Sequence, residues 1–267
     1  MPNFRLVLEY DGTDFAGWQA QRAGERTVQG ALEAALAHVS GASVAVIGAG
    51  RTDAGVHAEG QVASVHCAMR LDAATLQRAL NAVLPRDVAV REIAVAADAF
   101  HARRDALSKR YVYRIWNAPV RAPLRERTSL WVPVALDVAA MRAAARALVG
   151  THDFASFAAA GSNARTTVRA LETVALEQSG PELACAFEGP GFLRHMVRNL
   201  VGTLLEVGRG RRAPDSIATL LAARARSLAG PTAPPHGLTL VHVRHGDFRP
   251  QSEGLEAKRV DAAEPHG

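Results

Sequence analysis

The 267-residue chain predicts an α+β protein in which one order of elements, β-α-β-β-α-β, occurs twice. Three observations carry that prediction. Short segments alternate apolar and polar residues with a period of two, and the segments between them repeat apolar residues every three to four positions, so strands and helices are interleaved. The order of the first six elements recurs in the second half, a duplication of element order rather than of sequence. With 48% hydrophobic residues, a chain of this length can bury a sizeable core or two small ones.

The first strand is read from Phe4, Leu6, Leu8 and Tyr10, which alternate with Arg5, Val7 and Glu9. A turn-rich stretch from Asp11 to Arg22 follows, whose Phe15 and Trp18 are expected to fold back on the core. Residues 27–40 put Val28, Leu32, Leu36 and Val39 on one helical face, and Gly41 closes that helix. Short strands are expected at 44–47 and 61–67. Asp72 caps a second helix bearing Leu76, Leu80, Val83 and Leu84, which Pro85 stops. Val88–Val95 reads as a strand whose apolar phase shifts between Val90 and Ile93, the signature of a bulge.

The second set begins with a strand at 108–116. A helix follows from Asp137, with Val138, Met141, Ala145, Leu148 and Val149 inward, then strands at 170–177 and 182–188. A helix at 192–207, an extra helix from Pro214 to Leu228 and a strand at 238–244 complete it. Two such units are the ferredoxin-like arrangement, with residues 1–104 as one half and 105–248 as the other. Their antiparallel sheets are expected to adjoin and leave a cleft, the default place for a substrate. Residues 249–267 are polar and aperiodic, and are expected to be disordered.

A net charge of +5 and a pI near 9.8 hint at a polyanionic partner. Lys109 and Lys258 are the only lysines, so the positive charge is almost all arginine. That bias suits bidentate phosphate contacts, and a GC-rich genome would produce it too. Cys67 and Cys185 have neither the spacing of a zinc site nor that of a disulfide framework. No signal peptide and no membrane-length apolar run is apparent, so the expected compartment is the cytoplasm. His57, His66, His101 and His152 lack metal-ligand spacing, and nucleotide-binding loops and a Gly-x-Ser-x-Gly elbow are absent, so no cofactor is implied.

The stretch that organises the chain is VIGAGRTDAGVHAEGQVASV at 46–65, a glycine-rich loop between apolar runs with Arg51 and Asp53 at its centre. Glycines permit close approach of a ligand, and Arg51 and Asp53 lie two apart, on one side of an extended segment. Taken as bare residues they fit either a surface ion pair on a turn or a carboxylate presented to a substrate. GRTDAGVH at 50–57 resembles the catalytic loop of the TruA-type tRNA pseudouridine synthases.

In FHARRDALSKRYVYRI at 100–115, Tyr111 and Tyr113 share one face of a strand, while Arg110, Val112 and Arg114 share the other. Both tyrosines fit a core, or one could stack on a base while Arg103, Arg104, Lys109 and Arg110 hold phosphates. The stretch resembles the family's second motif, which implies that Tyr111 lies over the target base and Tyr113 supports it. In the helix at 192–207 the stripe Leu193, Met196, Val197, Leu200, Val201 and Leu204 leaves Arg198 at its border. HMVRN at 195–199 resembles the third motif, which implies that Arg198 pairs with Asp53. APPHGLTL at 233–240 resembles the family's cleft-closing segment.

The resemblance spans residues 3–245. It implies a cofactor-independent isomerase, working as a homodimer, that converts uridine to pseudouridine at positions 38, 39 and 40 of the tRNA anticodon stem-loop. Asp53 could attack C1′, add to C6 of the base or remove the 2′ proton, and the sequence leaves these three open. Two rivals are an RNA-binding module built from tandem RRM domains and a glycoside hydrolase pairing Asp53 with Asp11 or Asp14. The strand at 61–67 lacks the RRM signature, and a hydrolase needs two facing carboxylates.

Overall fold

The alternation in β1 (Asn3–Tyr10) buries Phe4, Leu6, Leu8 and Tyr10, and this strand is central to the first half. The computed structural model describes residues 1–21, 24–68, 71–159 and 165–246. Arg22 and the tail expected to be disordered, 249–267, lie outside the described residues.

After β1 come α1 (Val28–Ser40), β2 (Val46–Gly48), β3 (His57–His66), α2 (Ala73–Val83) and β4 (Val88–Ala96). Thr27 caps α1 by accepting from the Gly30 amide, and Gly41 ends it at φ 73°. Asp72 caps α2 through the Thr75 amide. β1 pairs antiparallel with β3 and β4, and β2 pairs with β3, so the order is β4-β1-β3-β2. Opposite Val7 and Leu8 the partner in β4 skips from Glu92 to Val90, which leaves Arg91 bulged where the sequence phase shifts.

The second half contains β5 (Ala106–Asn117), β6 (Leu130–Val132), α3 (Val138–Arg146), β7 (Gly150–Asp153), β8 (Val168–Leu171), β9 (Thr173–Ser179), β10 (Glu182–Gly189), α4 (Met196–Gly208), α5 (Ser216–Ala223) and β11 (Leu238–His245). Its pairing order, β11-β5-β10-β9, repeats that of the first half.

The expected pair of adjoining antiparallel sheets needs correction. Among the described residues there is one nine-stranded sheet, because β11 joins β3 in parallel through Thr239 opposite His57 and Leu240 opposite Ala58. β6 is also parallel to β5. β3 starts at His57 rather than 61, and its early residues supply the free edge that β11 takes. Gly60 makes the join possible, since a Cβ there would lie 2.4 Å from the Val241 carbonyl oxygen. Buried apolar residues of both halves then form one continuous core.

Three boundaries also move. The strand expected at 170–177 is two, β8 and β9, split where the Glu172 amide turns to the Glu188 carbonyl. β8 pairs with β7, whose residues GTHD carry no apolar alternation. α4 begins at Met196 because His195 has φ 60°, and α5 stops at Ala223 because Arg224 has φ 51°.

Candidate active site

The loop between β2 and β3 is fixed by its backbone on several sides. The Ala49 amide donates to the Val62 carbonyl at 2.7 Å, and the Gln61 side chain donates through Nε2 to the Gly50 carbonyl at 2.9 Å. Thr52 is held twice, its carbonyl accepting from the Trp18 amide at 3.1 Å and its hydroxyl bonding the Tyr10 hydroxyl at 2.8 Å. Burial pushes the Tyr10 hydroxyl up to about 12. Phe15 and Trp18 are buried as the sequence reading expects, and Trp18 also borders the cavity described below. Gly17, at φ 109°, lies so close that a Cβ would sit 2.8 Å from the Thr52 carbonyl oxygen.

Asp53 emerges from this loop half-buried. Its Oδ2 is 3.2 Å from Arg198 Nη1 and 3.6 Å from His195 Nε2. Arg198 is clamped in turn, since its Nε donates to the Ala233 carbonyl at 2.8 Å and its own carbonyl accepts from the Ala233 amide at 3.1 Å. The segment from Ala233 to His236 is pinned by the Tyr113 hydroxyl on the Pro234 carbonyl and by His57 Nε2 on the His236 carbonyl. A carboxylate meets a guanidinium already anchored through Nε, so the pair is preorganised.

The carboxylate opens into a cavity of about 1080 Å³ bordered by Arg51, Arg103, Lys109, Tyr111, His195 and Arg198. Asp53 is the one carboxylate on its described lining. Asp11, engaged by His57 at 3.1 Å and Arg127 at 3.6 Å, and Asp14, facing Arg127 at 3.9 Å, are both off this lining, so neither faces Asp53 across the cavity as a second acid. Among the described residues no cluster of His, Cys, Asp and Glu could hold a metal ion, and no helix is long and apolar enough to cross a membrane.

Tyr111 packs edge-on against Phe192 with ring centroids 5.0 Å apart. Burial, reinforced by Tyr10 and Asp53, pushes its hydroxyl up, so it stays neutral. Burial lowers Lys109, and Arg103 adds to that effect. Burial also lowers His195, with Arg198, Arg194 and Arg226 acting in the same direction and Asp53 opposing.

Six of the residues singled out from sequence therefore border one cavity: Arg51, Asp53, Arg103, Lys109, Tyr111 and Arg198. Tyr113 lies behind it on Pro234. Arg110 is not on this lining. Strand alternation turns it to the opposite face of β5, where it faces Glu188 at 3.8 Å. Arg104 is likewise absent from the lining and pairs with its neighbour Asp105. The sequence pattern does not single out Phe192, Arg194 and His195, because apolar periodicity extends the helix back to 192. Pro190-Gly191 was the available signal, since that dipeptide marks a turn and delays the helix.

The family model for tRNA pseudouridine synthase matches residues 6–104 and 144–245. The chain is 47% identical over 251 residues to tRNA pseudouridine synthase A of Myxococcus xanthus, covering 94% of each chain. It is 48% identical over 273 residues to that of Solidesulfovibrio magneticus, covering 100% of this chain and 99% of the relative. To that of Geobacillus kaustophilus it is 46% identical over 244 residues, covering 91% and 94%. The matched residues include Asp53 and both of its partners, and the chain belongs to the tRNA pseudouridine synthase family.

Proposed function

We propose that this enzyme converts uridine to pseudouridine at positions 38, 39 and 40 of the tRNA anticodon stem-loop, as a homodimer and without a cofactor. The observation that carries the reading is a single half-buried carboxylate, held by a guanidinium, in a cavity otherwise edged by cations and an aromatic ring. The pairing orders β4-β1-β3-β2 and β11-β5-β10-β9 support two ferredoxin-like halves, divided near residue 104, with the cavity where they meet.

Each role follows from the reaction. The N1–C1′ bond breaks, the uracil turns while held, and C5 bonds to C1′. A stacked uridine is first extruded, at a cost of a few kcal/mol. Arg51 is exposed at the cavity and makes no ion pair with a described residue, so it can take a phosphate or the vacated stack. Arg103 and Lys109 add positive charge on the same wall. The Tyr111 ring supplies a stacking face worth about 1–3 kcal/mol. Asp53 acts on the sugar or the ring, and Arg198 orients its Oδ2.

Asp53→Asn keeps the shape and removes the charge. With unmodified tRNA transcripts it is expected to bind as wild type does and to form no pseudouridine, while wild-type product maps to positions 38–40. An Asp53→Asn enzyme that modifies at the wild-type rate would remove Asp53 from its role. Product outside 38–40 would remove the site assignment, and a monomer by light scattering that still modifies tRNA would remove the dimer.

A further inference from the structure

The isomerisation moves a proton as well as a sugar. When C5 has bonded to C1′ it still carries its hydrogen, and N1 carries none. The C5–H bond must break, its electron pair restoring the C5–C6 double bond as the C6–N1 π pair moves to N1, which then gains a proton. Proton count and electron count are unchanged, so one group that takes the C5 proton and returns it to N1 suffices.

Few groups on the cavity can do this. Guanidiniums have no lone pair to accept a proton. Tyr111 is held neutral by burial, and Lys109 directs Nζ at the Pro190 carbonyl, 3.4 Å away. Asp53 is engaged at Oδ2 and is the group needed at the sugar or ring. His195 remains, the one imidazole on the described lining. Its Nε2 lies 3.6 Å from Asp53 Oδ2, so the imidazole and the carboxylate face the same part of the cavity. Its backbone sits at φ 60°, ψ 2°, a conformation a non-glycine residue rarely holds without the surroundings enforcing it. That left-handed residue turns the chain into α4 and leaves the ring on the cavity. Burial disfavours its charged form, with Arg198, Arg194 and Arg226 acting in the same direction and Asp53 opposing, so a ring nitrogen is the readier to offer its lone pair.

We propose that His195 is the proton carrier of the reaction, taking the C5 proton on Nε2 and delivering it to N1. This rests on the isomerase reading above. Asn and Gly both accept left-handed backbone, so His195→Asn and His195→Gly remove the base without disturbing the turn. Both are assayed beside wild type and Asp53→Asn, on tRNA transcripts carrying hydrogen or deuterium at uridine C5.

In both His195 variants kcat is expected to fall about 100-fold or more, the usual range for a lost general base, with KM for tRNA unchanged. Deuterium is expected to slow them several-fold further while leaving wild type nearly unaffected, because C5–H cleavage has become limiting. His195 variants at the wild-type rate, or slow ones indifferent to deuterium, would overturn the proposal, the latter assigning the proton to Asp53 or water. Wild type that forms no pseudouridine, or an active Asp53→Asn, sinks the parent reading and is seen independently of the His195 variants.

Discussion

Arg198→Met tests the ion pair at the centre of the site. The Arg198 side chain is 13% exposed and that of Asp53 27%, with Nη1 and Oδ2 3.2 Å apart. Two unit charges at that distance attract by about 5 kcal/mol at an effective dielectric of 20, a gross figure from which desolvation is subtracted. Net, a hydrogen bond to a charged group contributes about 1.5–3 kcal/mol. Met keeps the aliphatic stem of Arg198 packed on α4 but strands Asp53 and frees the Ala233 carbonyl that Nε held at 2.8 Å. Because Asp53 retains some water, the expected stability loss is about 2–3 kcal/mol, below the 3–5 kcal/mol of a fully buried broken pair. If 1.5–3 kcal/mol of orientation is also lost in the transition state, turnover falls about 10- to 150-fold. Arg198→Lys restores charge without the link to Ala233 and should lie between. Urea unfolding and single-turnover pseudouridine formation measure the two effects. Arg198→Met within twofold of wild type in rate, with an unchanged urea midpoint, would refute the reasoning.

Two further outcomes are expected. Tyr111 makes no hydrogen bond through its hydroxyl to a described residue, so Tyr111→Phe should keep turnover within a few-fold while Tyr111→Ala loses the 1–3 kcal/mol of a stacking face. The reverse order in a kcat/KM comparison would assign the role to the hydroxyl instead. Burial is the largest cause lowering His195, His236 and His245, so each binds its proton more weakly folded than unfolded. Stability is then fully present above the ordinary histidine value of about 6.5 and is lost as pH falls below it toward the lowered folded values. At His245 burial outweighs the opposing bond from Nε2 to the Ala102 carbonyl at 2.8 Å, and buried Nδ1 has no hydrogen-bond partner among the described residues. Asp72, Asp105 and Asp153 are lowered from 3.8 and act below this window. Urea midpoints should fall between pH 7 and 5, less so in His245→Gln, and a midpoint flat over that range would refute the assignment.

What could be read from sequence was what is local. Caps at Asp72 and Asp137, the stop at Gly41 and the bulge beside Arg91 each depend on residues a few positions apart. Asp53 and Arg198 are 145 residues apart, and only resemblance linked them beforehand. Arg110 shows the opposite case. Its parity in the strand puts it across from Tyr111, and it faces Glu188 on that side. His195 was hidden for a different reason, since nothing in HMVRN announces a left-handed histidine, and helical periodicity runs straight through it. The β3–β11 join rests on two residue pairs between strands about 180 positions apart, outside the reach of any pattern in one strand.

That join is where fold becomes chemistry. The carboxylate belongs to the first half, while Arg198, His195 and the clamp at Ala233–His236 belong to the second. β11 follows the clamp directly, and β3 follows the Asp53 loop directly, so pairing Thr239 with His57 brings both loops to one end of the sheet. Glycine is needed where these backbones converge. A Cβ on Gly12 would lie 2.0 Å from the Val56 carbonyl oxygen, and one on Gly55, already at φ 76°, would lie 2.8 Å from Pro235 Cγ. The glycine richness of the loop is therefore accounted for by the chain's own close approaches at its ends, while a Cβ on Gly50, which borders the cavity, would lie 3.3 Å from Lys109 Cε. Holding an ionisable group by backbone contacts from both halves costs conformational freedom during folding and removes it from the reaction, which is the condition for a single carboxylate to work without a second acid beside it.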